Sequence, residues 1–261
     1  NATDWVNSST MNISNTPPEQ PIPAFPVYNS SLTNRSTHFN WTAVGDIDND
    51  TITYDLIIDR LSCGDINLNC FITTIEVNDI STTSYTITES LDVDSRYNWT
   101  VNASDATDTT QSEDFNFTLD SSLSLSFSTG TVAFGTLPGA RTNDTENNNP
   151  APLIIVNDGN VEVNLSINGT ESLWDSIGVD QPNWQFKAAN STENNTFNWT
   201  PSITTYTNIP STPKEFIIKL NWTDANDSAE IDINISVPED EFAGSKEGTI
   251  TITSAQWTNV T

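Results

Sequence analysis

In the stretch HFNWTAV, Asn40 stands between Phe39 and Trp41 and is followed two residues on by Thr42. The arrangement recurs. Asn98 lies between Tyr97 and Trp99, Asn102 between Val101 and Ala103, and similar flanks surround Asn12, Asn116, Asn164, Asn198, Asn221 and Asn234. Successive side chains of a strand point to opposite faces, so a polar residue with apolar neighbours on both sides fits a strand with one buried face. The expected fold class is therefore all-β, built of antiparallel sheets that are apolar on the inside and polar on the outside.

Each of these asparagines also heads an Asn-x-Ser/Thr sequon, the acceptor for N-glycosylation. The chain holds twenty: Asn1, Asn7, Asn12, Asn29, Asn34, Asn40, Asn49, Asn98, Asn102, Asn116, Asn143, Asn164, Asn168, Asn190, Asn194, Asn198, Asn221, Asn226, Asn234 and Asn259. Composition alone, with Ser and Thr at about a quarter of positions, would yield roughly eight. The excess and its outward strand positions point to N-linked glycans coating the sheets themselves, not only the loops. A face carrying bulky sugars cannot pack flat against a partner. Interfaces are accordingly expected where sequons are missing, from Asp50 to Tyr97 and from Ile235 to Thr258.

At 261 residues and 35% hydrophobic content, the chain can supply two modest cores. Eight basic residues against 35 acidic ones give a net charge of -27, which excludes a phosphate backbone as partner. No apolar run approaches the roughly 20 residues needed to cross a bilayer as a helix. Asn1 is neither an initiator methionine nor the start of a signal peptide, so the expectation is a mature or partial product. Cys63 and Cys70 enclose the short loop CGDINLNC between strand-like segments, which suggests a local disulfide and an oxidising, extracellular compartment. Free thiols are the competing reading.

Alternation and turn signals divide the chain into an extended N-terminal strand (1–16), a first sandwich (17–120) and a second (121–261). The first reads as about seven strands: HFNWTAV, TITYDLIID, CFITTIEV, TSYTIT, RYNWTVNA and DFNFTL follow the proline-rich entry PPEQPIPAFP. Their order, with Trp41 in the second strand, DIDNDTITYDL entering the third, and Leu91 followed by Tyr97, Trp99, Val101 and Ala103, resembles a fibronectin type III domain. That resemblance implies that the Trp and Tyr are core landmarks, the Tyr hydroxyl bonding to the corner before it. It implies a fold and a modular habit, not a chemistry. The second half reads as LSLSFST, TVAFG, PLIIVND, VEVNLSIN, FIIKLNW, AEIDINISV and GTITITS, an Ig-like or jelly-roll-like sandwich. NDGNVEVNLSINGT and VPEDEFAGSKEGTITITS resemble surface-associated domains of archaeal glycoproteins and, more distantly, camelysin-like subunits of extracellular fibres.

The opening ATDWVNSSTMNIS aligns without a gap to ATDTTQSEDFNFT, the closing segment of the first sandwich. It therefore looks like a last strand without its domain. Three readings stand: a window on a longer multidomain chain, a donor strand that completes a sheet in a neighbouring copy, or a frayed tail. Trp5 and Val6, then Met11 and Ile13 on one face, favour the first two.

Catalytic apparatus is not evident, and the chain is read as not an enzyme. His38 is the only histidine and begins a strand; there is no P-loop, GxGxxG or zinc spacing. One constellation offers a cofactor: Asp46, Asp48 and Asp50 in GDIDNDTITYD repeat at every second position, and hard cations such as calcium need several oxygen ligands. The competing reading is a solvated turn carrying the sequon at Asn49. The leading expectation is a structural glycoprotein of the cell surface whose partners are copies of itself, polymerised into a filament or surface layer. The alternative is an adhesin or carbohydrate-binding module. Trp41 and Trp99 are assigned to the core and Trp199 and Trp222 flank strand sequons, leaving Trp5, Trp174, Trp184 and Trp257 as candidates for an exposed sugar platform. An accessory domain of a secreted enzyme is the third reading.

Overall fold

The computed structural model describes residues 14–63, 74–169, 172–177 and 181–258, which form strands and no helix. The chain divides into two compact units, Asn1–Asp120 and Ser121–Thr261. Each is an all-β sandwich with its own pair of sheets.

The first unit contains β1 (Pro23–Phe25), β2 (Ser30–Leu32), β3 (His38–Trp41), β4 (Thr53–Cys63), β5 (Thr74–Ile80), β6 (Ser84–Thr86), β7 (Ser95–Ser104), β8 (Thr109–Gln111) and β9 (Phe115–Leu119). One sheet has the order β1-β3-β6; the other runs β2-β9-β7-β4-β5, with β8 also on β7. All pairs are antiparallel except β2 with β9. The count exceeds the seven read from sequence because short edge pieces such as β2 and β8 carry too few residues to show alternation.

The core lies between these two sheets. Phe39 of β3 meets Trp99 of β7 at a ring separation of 5.2 Å and Phe117 of β9 at 5.9 Å, both edge-on. Such pairs add about 0.5–1.5 kcal/mol beyond the area they bury. The indole N–H groups of Trp41 and Trp99 are buried without an acceptor. That omission costs about 1–3 kcal/mol each. Burial of a large aromatic side chain, here in a core cluster that also holds Leu56, Ile58 and Val101, yields a comparable or larger gain.

The second unit contains β10 (Leu125–Thr129), β11 (Thr142–Asp144), β12 (Leu153–Asn157), β13 (Val163–Gly169), β14 (Trp184–Asn190), β15 (Thr207–Asn208), β16 (Lys214–Leu220), β17 (Ser228–Ser236) and β18 (Ile250–Gln256). The larger sheet has the order β10-β12-β17-β14-β15 with β11 on β17; the smaller is β16-β13-β18. Phe186 of β14 packs edge-on against Phe216 of β16 at 5.5 Å, which joins the two layers. Buried Asn157 ties the turn after β12 to the smaller sheet, its Nδ2 donating to the carbonyls of Val161 and Asn221, each at 2.9 Å.

Two strand expectations need correction. TVAFG forms no strand: Gly130 and Gly135, the latter at φ 69°, bracket it, and Val132 and Phe134 are half-buried without a ladder partner. WQFKAAN, unread in the sequence, is β14, an interior strand between β17 and β15. Its alternation of buried Trp184, Phe186 and Ala188 is present, but small and polar residues dilute it.

Candidate functional site

Alternation places the sequons within strands as the sequence pattern requires, but Asn198 and Asn221, read as strand positions, lie outside strands, and Trp199 beside Asn198 is exposed. Asn1, Asn7, Asn12 and Asn259 lie outside the described residues. All sixteen others are exposed or half-buried, while the two asparagines buried among the described residues, Asn157 and Asn160, head no sequon. Asn40 sits between buried Phe39 and Trp41, Asn98 between buried Tyr97 and Trp99, and Asn164 between buried Val163 and Leu165. The cause is the two-residue period, which sends the amide outward wherever its neighbours are driven inward.

The structure adds a distinction that sequence could not supply. Nine sequon asparagines lie within strands: Asn40, Asn98, Asn102, Asn116, Asn143, Asn164, Asn168, Asn190 and Asn234. All but Asn143 are on strands paired on both sides. The edge strands β1, β2, β5, β6, β8, β10, β15, β16 and β18 carry none, and the three-residue edge strand β11 carries Asn143. The two sequon-poor stretches noted above contain β5, β6 and β18. Strand-borne glycan acceptors thus lie on interior strands with one exception, Asn143 on the short edge strand β11.

The segment with Trp5, Val6, Met11 and Ile13 lies outside the described residues, but the residues that follow it are held firmly. Asn15 Nδ2 donates to Asp105 Oδ2 at 2.8 Å and to Asp108 Oδ2 at 2.9 Å, and the Thr16 N–H donates to Asp48 Oδ2 at 2.7 Å. Asp105 Oδ1 in turn accepts the N–H groups of Thr107 and Asp108, each at 2.7 Å. The donors from Asp108, then Asn15, hold the Asp105 carboxyl below the usual aspartate range. Asn15 and Thr16 are therefore pegged to two loops of the first unit.

This pegging bears on the calcium expectation. Asp46 Oδ1 accepts the N–H of Asp48 at 2.7 Å and of Asp50 at 3.3 Å, which is a turn closed on its own backbone. Among the described residues no three His, Cys, Asp or Glu side chains are grouped to hold a metal ion, so Asp46, Asp48 and Asp50 do not converge. Cys70 and the side chain of Cys63 lie outside the described residues; the Cys63 backbone ends β4 opposite Ser95. His38 is exposed, its Nδ1 2.8 Å from Thr86 Oγ1.

The tryptophan platform is overturned in part. Trp174 and Trp184 are core residues, 7% and 6% exposed. Trp184 is clasped between Gly169 and Gly248: a Cβ at either would come within 3.1 Å of its ring. Trp199, discounted in the sequence, is 49% exposed and stacks on Phe197 at 5.6 Å. Half-exposed Trp257 holds the Lys219 ammonium 4.4 Å above its ring. Trp5 lies outside the described residues.

No protein family model matches the chain, and no curated protein matches it. The solved structures that share a loose likeness include the following two. One is described as "Chaperone-tip adhesin complex is vital for synergistic activation of CFA/I fimbriae biogenesis", with 12% identity, 91% of this chain and 81% of that chain covered, and a TM-score of 0.32. The other is described as "BspA_C_WT", with 8% identity, 91% and 96% covered, and a TM-score of 0.24. Likeness at this level assigns no function. No helix among the described residues is long and apolar enough to cross a membrane.

Proposed function

We propose that the chain is a structural, heavily N-glycosylated subunit of the cell exterior, which polymerises with copies of itself into a filament or surface layer through strand complementation. The observation that carries the reading is that, of the nine sequons within strands, all but Asn143 lie on strands paired on both sides, and every edge strand except the three-residue β11 is free of them. Glycans on faces protect and solubilise a polymer; clear edges allow main-chain pairing between copies. A donor strand reaching from one copy to the next is a heterologous contact, and such contacts propagate when the rotation does not close.

The first unit is read as a fibronectin type III domain. Supporting that reading are the three-stranded sheet facing a sheet of β9, β7, β4 and β5, and Tyr97, whose hydroxyl bonds back to Asp92. The archaeal surface-glycoprotein character of the second unit rests on sequence resemblance. The adhesin reading is weakened by the burial of Trp174 and Trp184, two of its four platform candidates. Electron microscopy and intact-mass analysis of native material test the proposal: filaments or a lattice carrying glycan mass are expected, and a monodisperse, unglycosylated monomer would refute it.

A further inference from the structure

We infer that β18 is the acceptor edge, and that its open side receives the segment Thr3–Ser14 of a second copy of the chain. This rests on the strand-complementation reading and names the surface that reading needs.

Natural sheets guard their free edges with shortness, proline, bulges and charge. Among the described residues, nearly every edge here is guarded in one of these ways. β2, β6, β8, β11 and β15 are three residues long or less, and β1 contains Pro23 and a register shift. β5 carries Glu76 and Asp79, the latter at φ 59°, beside a register shift between Tyr54 and Leu56. β10 shifts between Phe127 and Thr129. β16 shifts twice against β13 and carries Lys214, Glu215 and Lys219, with Lys219 at φ 62°. β18 differs from all of them. ITITSAQ has no charge, proline or glycine, and it pairs with β13 residue for residue from Gln256↔Val163 to Ile250↔Gly169 without a shift.

Burial gives a second, independent sign. Residues directly opposite in a ladder share a face. Ile250, Ile252, Ser254 and Gln256 therefore face the same way as Gly169, Ile167, Leu165 and Val163. Those four residues of β13 are all buried, whereas none of the seven residues of β18 is. The core is closed at β13 and still open one strand further on. A strand laid along β18 would cover Ile250 and Ile252 and satisfy the outward backbone groups of the edge.

The chemistry of Thr3–Ser14 fits that place. From Trp5 to Ile13 it is uncharged, as is β18, so the two meet without the repulsion that copies of a -27 chain otherwise impose. Setting Met11 and Ile13 beside Ile250 and Ile252 turns the Asn12 sequon to the outer face, where Asn164 and Asn168 of β13 already stand. Sequons are absent from Ile235 to Thr258, so β18 itself stays clear. Asn15 and Thr16, pegged to the first unit, fix the point from which the segment departs.

Hydrogen exchange on the full chain, dilute and assembled, reads the contact directly. Assembly should slow exchange of amides within 250–256 by about tenfold or more and leave β5, β10 and β16 unchanged. Thr253→Lys, which adds a guarding charge at an exposed position, should cut assembly by about tenfold or more without altering the melting temperature. Met11→Asp with Ile13→Asp should produce the same loss from the other partner. Protection that appears on another edge would sink β18 as acceptor while leaving strand complementation standing. Protection of β18 that is independent of concentration would mean a segment folded back on its own chain, and would overturn the inference, as would a Thr253→Lys chain that assembles normally. A full chain that never assembles would remove this inference and the proposed function together.

Discussion

The hydroxyl of Tyr97 donates to the carbonyl of Asp92 at 3.0 Å and accepts the N–H of the same residue at 2.8 Å. One phenol thus closes the corner that leads into β7, with Leu91 buried beside it. Burial, more than any neighbouring charge, pushes the phenol pKa up, so the hydroxyl keeps its proton and its donor role at every ordinary pH.

Tyr97→Phe removes both bonds and leaves the Asp92 amide and carbonyl without that partner. The first unit should lose about 1–3 kcal/mol. Urea unfolding followed by tryptophan fluorescence measures this; a change under a few tenths would show that solvent replaces the hydroxyl.

Trp184 is predicted to act on stability and not as a sugar platform. Trp184→Ala should cost the second unit about 3–5 kcal/mol, the range for deleting a buried aromatic. Gly248→Ala should destabilise as well, because its Cβ would lie 2.8 Å from the Trp184 ring. Calorimetry of both variants checks the pair, and a Gly248→Ala protein as stable as the parent would contradict the close approach.

Glu241 predicts a pH dependence. Its carboxylate is held down to about 2, chiefly by Lys246, then by the Ser176 hydroxyl and the Ser176 and Asp175 N–H groups. The folded-state value lies below the ordinary 4.5, so the contribution is complete above that value and is lost as pH falls through about 2. Lys246 is shifted upward, first by Asp175 and then by Glu241, so its share is complete below the ordinary lysine value and fades only at higher pH. The stability gap between the parent and Glu241→Gln should be constant near neutrality and close in strong acid. Melting curves across that range settle it; a gap that closes near pH 7 would contradict the sign.

Glycopeptide mass spectrometry should find sugar on most strand-borne sequons, Asn40, Asn98, Asn116, Asn164 and Asn234 among them. Asn164 and Asn234 are the stricter cases, since their Nδ2 groups now donate to Glu215 at 3.2 Å and Gln185 at 3.1 Å. Occupancy at fewer than half of these sites would mean that composition alone made the motif.

Cys63 and Cys70 are expected to be linked. Mapping without reductant should recover one joined peptide, and alkylation of both cysteines in the unfolded, unreduced chain would disprove the link.

The sequence by itself determined the all-β class, the faces of most strands and the outward direction of the sequons. The reason is local: a period of two, read from residues such as Phe39, Asn40 and Trp41, needs no knowledge of what lies opposite. It also carried Leu91 and Tyr97 as corner landmarks. It could not distinguish an interior strand from an edge, because β13 and β18 show the same alternation and differ only in whether one or both sides find a partner. Nor could it place Trp184, whose burial depends on Gly169 and Gly248 arriving from other parts of the chain, or show that Asp46 Oδ1 and Asp48 Oδ2 accept backbone N–H groups, the latter that of Thr16. Pairing, burial and satisfaction of polar groups are properties of what the folded chain brings together, so only the tertiary structure decided which edges are guarded and that β18 is not.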